Sequence, residues 1–177
     1  MIFIGVDPGK SGAIAVLYPD NSLSVFDLHE FYDDSGAAHS SLNPIRINHW
    51  IQWKLKRQTD VRVCVEKPIF IGGYNIQTTM SMYESFGVLR CAFVNANIPF
   101  SDVLPKEWLR FYPEISRTRK RREKIESVIE AKKLFPRYAE LFERTIVKGR
   151  GKGGVIPLDG RAEAVLIANY ARAVTLR

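Results

Sequence analysis

The sequence predicts an α/β fold in which helices cover a mixed sheet. Three apolar runs open the chain, Ile2–Val6, residues 13–18 and residues 23–28, joined by turns short enough to impose an antiparallel meander. Strand-like and helix-like segments alternate after them, in the order β-β-β-α-β-α-β-α-α. No internal repeat and no long linker divides the 177 residues, so one domain, 1–177, with a sizeable core is expected.

The first turn is Asp7-Pro8-Gly9-Lys10-Ser11-Gly12 and the second Pro19-Asp20-Asn21-Ser22, both rich in turn formers. A polar loop, 29–42, follows. Asn43-Pro44 supplies an N-cap and a proline at the first helical position, opening a helix to about Lys56. Residues 61–65 form a β-branched strand, and 67–75 a loop holding Gly72-Gly73 with Phe70 and Tyr74. Met82, Phe86, Leu89 and Phe93 mark a helix over 78–97. A short strand at 99–103 and a helical turn at 105–111 come next. Lys120–Leu134 reads as a basic amphipathic helix with Ile125, Val128, Ile129 and Leu134 inward. Residues 148–154 form a flexible basic loop, and the last helix spans 159–173.

Hydrophobic content of 46% and charged content of 25% belong to a folded globular protein. Cys64 and Cys91 lie far apart, and His29, His39 and His49 are not paired with them, which argues against zinc and disulfides and suits a reducing cytoplasm. Asp7 breaks the apolar N-terminus and no run approaches a membrane span, so neither a signal peptide nor an anchor is expected. The net charge is +7, and its location is informative. Residues 117–152 hold thirteen Lys and Arg against five Glu, a net of +8; the rest holds thirteen against fourteen acids. A basic stretch beside a neutral body is the footprint of a polyanion binder, although a solubilising helix face would look the same.

Asp7 ends one buried strand and Glu66 another, where a lone carboxylate is costly to desolvate. Asp159 and Glu163 sit four apart on the last helix, sharing with Leu166 and Tyr170 a face expected to dock onto the sheet, with Arg161, Ala168 and Arg172 opposite. An N-cap role for Asp159 and a surface role for Glu163 would explain that pair alone. They do not explain four acids at three element ends. A shared metal does, and all-oxygen ligands favour Mg²⁺ or Mn²⁺. Two such ions, about 4 Å apart, serve in-line phosphodiester displacement, and the basic segment points to the same substrate, nucleic acid.

Gly5-Val6-Asp7-Pro8-Gly9 with Ser11-Gly12, then Val65-Glu66, then Asp159-Gly160-Arg161-Ala162-Glu163-Ala164, resemble the RuvC-type Holliday-junction resolvases of the RNase H-like superfamily. Pro105 and Trp108, and the Lys-rich helix before Leu134-Phe135-Pro136, are most similar to the bacteriophage-encoded branch. The resemblance implies a five-stranded sheet with strands one to three antiparallel and the fourth parallel to the first. It implies Asp7, Glu66, Asp159 and Glu163 as catalytic metal ligands for two ions, and Lys124 as a cation near the scissile phosphate. It also implies a homodimer that nicks opposing strands of a junction, in the cytoplasm of a bacterial host if phage-encoded. The final acid is Glu163 where the family has Asp, and Asp159 lies four residues upstream where three is common. Lys120, Arg121, Arg122, Lys148, Arg150 and Lys152 are expected to touch the DNA backbone collectively, and Phe70 and Tyr74 to stack on an unpaired base. Asp27, Asp33 and Asp34 are expected to be loop solvation.

Competing readings are a broader flap or fork nuclease, an inert branched nucleic-acid binder, and an actin- or hexokinase-type phosphotransfer domain. The last needs a second phosphate loop and a longer chain than 177 residues.

Overall fold

The computed structural model describes residues 1–33, 41–56, 58–69, 76–115, 120–147 and 152–176, with side chains from Ile125 onward in the helix that starts at Lys120. β1 (Ile2–Val6), β2 (Ala13–Leu17) and β3 (Leu23–Asp27) form the expected meander, with Ile4 opposite Val16 and Ala15 opposite Val25. β4 (Val61–Glu66) pairs in parallel with the free side of β1, and β5 (Phe100–Val103) in parallel with β4. The order is β3-β2-β1-β4-β5, so β1 is the central strand.

Alternation along the strands divides the core in two. Ile2, Ile4 and Val6, with Ile14, Val16, Val61, Val63 and Val65, pack under α1 (Pro44–Leu55) and α2 (Ile76–Asn95). Phe3, with Ala13, Ala15, Leu17 and Cys64, faces α3 (Pro105–Leu109), α4 (Lys120–Leu134) and α5 (Asp159–Thr175). Helices on both faces explain why the strands read as unbroken apolar runs. α1 begins as expected: the Asn43 side chain accepts from the amides of Ile45 (2.8 Å) and Arg46 (3.1 Å), with Pro44 at the first position.

Two elements depart from expectation. In α4 only Val128 of the four apolar residues points inward, while Ile125, Ile129 and Leu134 are 46%, 58% and 40% exposed. The buried positions are Ser127, Val128, Glu130 and Ala131. Two short strands the sequence did not suggest, β6 (Glu143–Thr145) and β7 (Val155–Pro157), pair antiparallel through Arg144 and Ile156, and residues 148–151 of the expected basic loop lie outside the described residues. The two strands are three residues each, too short for periodicity to announce them. Gly153, at φ +86°, donates its amide to the Ile146 carbonyl at 2.9 Å near the tip.

Candidate functional site

Register and parity settle where the first two acids lie. Val6 pairs with Val65, so Asp7 and Glu66 follow one step on at the C-terminal ends of adjacent parallel strands. Phe3 on β1 and Cys64 on β4 face α5, and the two-residue period sends Asp7 and Glu66 to the same side. Their backbones are therefore about 4.8 Å apart. Asp7 is buried and its Oδ1 accepts from the Gly9 amide at 3.0 Å. The turn closes through Gly12 N–H to Gly9 O (2.8 Å) and Asp7 N–H to Ala13 O (3.1 Å).

The last two acids arrive on α5, which is pressed into the sheet by backbone contact. A Cβ on Gly5 would overlap the Ala164 carbonyl oxygen and the Ala168 nitrogen, and one on Gly160 would overlap Ser11 O. The sheet-facing stripe is therefore Gly160, Ala164 and Ala168, and this corrects two expectations. Ala168 is fully buried against β1, not turned away. The face of Asp159, Glu163, Leu166 and Tyr170 lies roughly a third of a turn round, toward α3 and α4. Tyr112 donates to the Leu166 carbonyl at 2.8 Å, Phe111 packs edge-on against Tyr170, and Ser127 lies 3.5 Å from Glu163 Oε1. Large residues at 160, 164 and 168 would have held α5 off; small ones let its first turn sit on the turn after Asp7.

Asp159 and Glu163 are half-buried, as is Glu66. The four acids thus come from three elements at one end of the sheet. Among the described residues, only Asp27, His29 and Glu30 bring three metal-capable donors within 4.8 Å of one another. Asp27 already has a strong partner: Arg161 Nε and Nη2 donate to its two oxygens at 2.6 Å each, and Arg161 Nη1 to the Leu141 carbonyl at 3.2 Å. Asp27 is thus a clamp between β3 and α5 and not loop solvation. Asp33 likewise accepts from Asn43 Nδ2 at 2.6 Å, while Asp34 lies outside the described residues. Burial lifts the Cys64 thiol to about 11, well above its ordinary value.

The basic residues divide by position. Lys120, Arg121, Arg122 and Lys124 occupy the first turns of α4, where the backbone alone is described. Lys152 is exposed beside the hairpin tip; Lys148 and Arg150, and likewise Phe70 and Tyr74, lie outside the described residues. Sequence reasoning missed the role of Trp108, whose Nε1 donates to Glu66 Oε1 at 2.9 Å. It also missed Ser127 and Arg161. The strand-then-proline pattern Val103-Leu104-Pro105 before Trp108 was the available signal for the first.

The sequence matches no protein-family model and no curated protein. Solved structures do match. The chain is similar to RuvC of Thermus thermophilus in complex with a Holliday junction substrate: TM-score 0.59, 16% identity, 99% of this chain and 97% of that one covered. Another Thermus thermophilus RuvC structure gives 0.54 at 18% identity over 99% and 98%. Ydc2, the yeast mitochondrial Holliday junction resolvase, gives 0.50 at 15% identity over 93% and 75%. With its sheet order and with helices on both faces, the chain therefore has the RNase H-like fold of the RuvC-type resolvases.

Proposed function

We propose that this chain is a structure-specific endodeoxyribonuclease that hydrolyses phosphodiester bonds in four-way and other branched DNA, using Mg²⁺ held by Asp7, Glu66, Asp159 and Glu163. The observation that carries this reading is the convergence of the four acids from β1, β4 and α5 at one sheet end, with α5 locked there through Gly5 and Gly160. The donor set fits the ion: four carboxylates, no thiolate, and backbones fixed while the side chains keep reach. Once bound, two such ions supply an activated water and a stabilised leaving oxygen; Mn²⁺ would serve in their place.

The protein's own groups do the rest. The Gly9 amide holds Asp7 in one orientation, and Trp108 holds Glu66. Lys124, early on α4, would neutralise the scissile phosphate, and the basic side chains of α4 and the hairpin tip would grip the flanking backbone. A branched substrate is the one carried by the complex of the similar RuvC structure.

A second copy of the chain completes the proposal, since cutting a four-way junction symmetrically needs two such centres. α2 supports it. Ile76, Met80, Tyr83 and Val94 form an exposed stripe at helical spacing, Ile76 and Met80 being 71% and 67% exposed, and a Cβ on Gly87 within it would meet nothing within 4 Å among the described residues. A largely apolar stripe of this length, with the exposed Arg90 at its edge, suits an isologous helix contact.

The deciding experiment is cleavage of a labelled four-way junction beside flap, fork and linear duplex with Mg²⁺, comparing wild type with Glu66→Gln. Paired nicks in the junction, lowered more than about 100-fold in the variant while DNA binding persists, support the reading; outer-shell losses alone reach about 10–100-fold. Equal cutting of flaps and forks broadens it to a branch nuclease. No cutting with Mg²⁺ or Mn²⁺ replaces it with a binding protein.

A further inference from the structure

Trp108 and Ser127 each touch an acid of the candidate centre. Ser127 reaches Glu163 only at 3.5 Å, the limit of a hydrogen bond, whereas the Trp108–Glu66 bond at 2.9 Å is mid-range. We propose that Trp108 is a positioning residue that sets the divalent-metal affinity of the centre through the Glu66 carboxylate; this rests on reading Glu66 as a metal ligand.

Trp108 is 2% exposed and packs at 6.2 Å against Tyr112, within the cluster beneath α5. Its position is over-determined. β5 pairs Val103 with Glu66, so the chain leaves the sheet beside that acid. Pro105 opens α3, and the Glu107 carboxylate fastens the turn by accepting from the Leu104 amide at 2.7 Å. A rigid indole is thereby delivered to the end of β4. Satisfying a buried N–H is not a sufficient reason for the contact, because this fold leaves another indole N–H, that of Trp50, buried with no partner among the described residues. The acceptor is a carboxylate, and a charge-assisted bond from a fixed donor orients Oε1 and narrows the side chain's rotamers. Outer-shell partners of this kind carry about 10- to 100-fold in metal affinity.

Trp108→Phe keeps most of the buried volume and removes the donor. Titrating Mn²⁺ alone into the DNA-free protein by calorimetry should show affinity about 10- to 100-fold weaker than wild type. Cleavage should recover as Mn²⁺ is raised, with DNA affinity unchanged; a merely structural lesion would not be rescued by metal. An unchanged Mn²⁺ affinity overturns the proposal while leaving the nuclease reading intact. A wild type that takes up no Mn²⁺ removes both. If Trp108→Phe does not fold, the indole ¹H–¹⁵N signals of the three tryptophans answer instead. One of them should shift in Glu66→Gln and again when diamagnetic Mg²⁺ binds wild type, and three unmoved signals overturn the assignment.

Discussion

α5 and α4 lie against each other and are built by opposite rules. α5 is buried from Ala164 through Asn169 without a break, and it meets β1 backbone on backbone at Gly5. α4 keeps one narrow inward stripe of Ser127, Val128 and Ala131 and leaves Ile125 and Ile129 to solvent. The acids proposed to hold metal ride on the first helix and on β1 and β4, and the basic residues proposed to meet DNA begin the second. Close seating comes from small residues where backbones approach.

The contrast breaks hardest at Gly5. Gly5→Ala puts a methyl into the Ala164 carbonyl and the Ala168 amide, backbone atoms that cannot swing aside. The loss should reach or exceed the about 1–3 kcal/mol of ordinary overpacking. Ile129→Ala on exposed α4 should stay within about 0.5 kcal/mol. Urea midpoints measure both, and equal small shifts would mean that α5 is not seated on the sheet as described.

Arg161→Ala should come next. Its two 2.6 Å bonds tie the first turn of α5 to Asp27 at the end of β3, with Arg161 28% and Asp27 15% exposed at the side chain. That places the pair between exposed ion pairs, worth up to about 1 kcal/mol, and fully buried ones, whose disruption costs about 3–5 kcal/mol. A loss of about 1–3 kcal/mol is expected, between those limits. Asp27→Asn combined with it should add little, and full additivity in the double-mutant cycle would show the two groups to be independent.

The sheet and the positions of the acids were legible in the sequence for a physical reason. Apolar runs, Asn43-Pro44 and the ends of strands at Asp7 and Glu66 are local signals, and the local conformation they dictate survives packing. The faces of α4 and α5 were not legible. Periodicity ranks Ile above Ser and Ala for burial, yet α4 buries Ser127 and Ala131, and α5 meets the sheet and the turn after β1 with Gly160, Ala164 and Ala168. Glycine and alanine state their purpose only when the opposing backbone is known. Trp108 stood out as a motif residue, but its bond to Glu66 joins positions 42 apart and no sequence period connects them.

A smaller effect is expected on the α4 side. Neutralising Lys148, Arg150 and Lys152 together should weaken DNA binding and reduce the slope of log affinity against log salt, by about 0.9 for each phosphate no longer neutralised. An unchanged slope would take the hairpin tip out of the interface, leaving α4 as the basic surface.

The smallest change separates a free helix face from a covered one. Gly87 lies inside α2 with open space where its Cβ would be, so Gly87→Ala should stabilise the isolated chain by about 0.5–1 kcal/mol through lower chain entropy. The sign reverses for association. If a second copy lays its α2 across the stripe of Ile76, Met80, Tyr83 and Val94, the missing side chain at 87 is where two helices approach closest, and a methyl there holds them apart. Gly87→Ala should therefore raise the urea midpoint measured at dilution while shifting sedimentation toward monomer. A raised midpoint with unchanged self-association would mean that the stripe is not the contact between copies. A lowered midpoint in the monomer would mean that Gly87 is covered within its own chain, and the contrast between a packed α5 and an open α2 would fail with it.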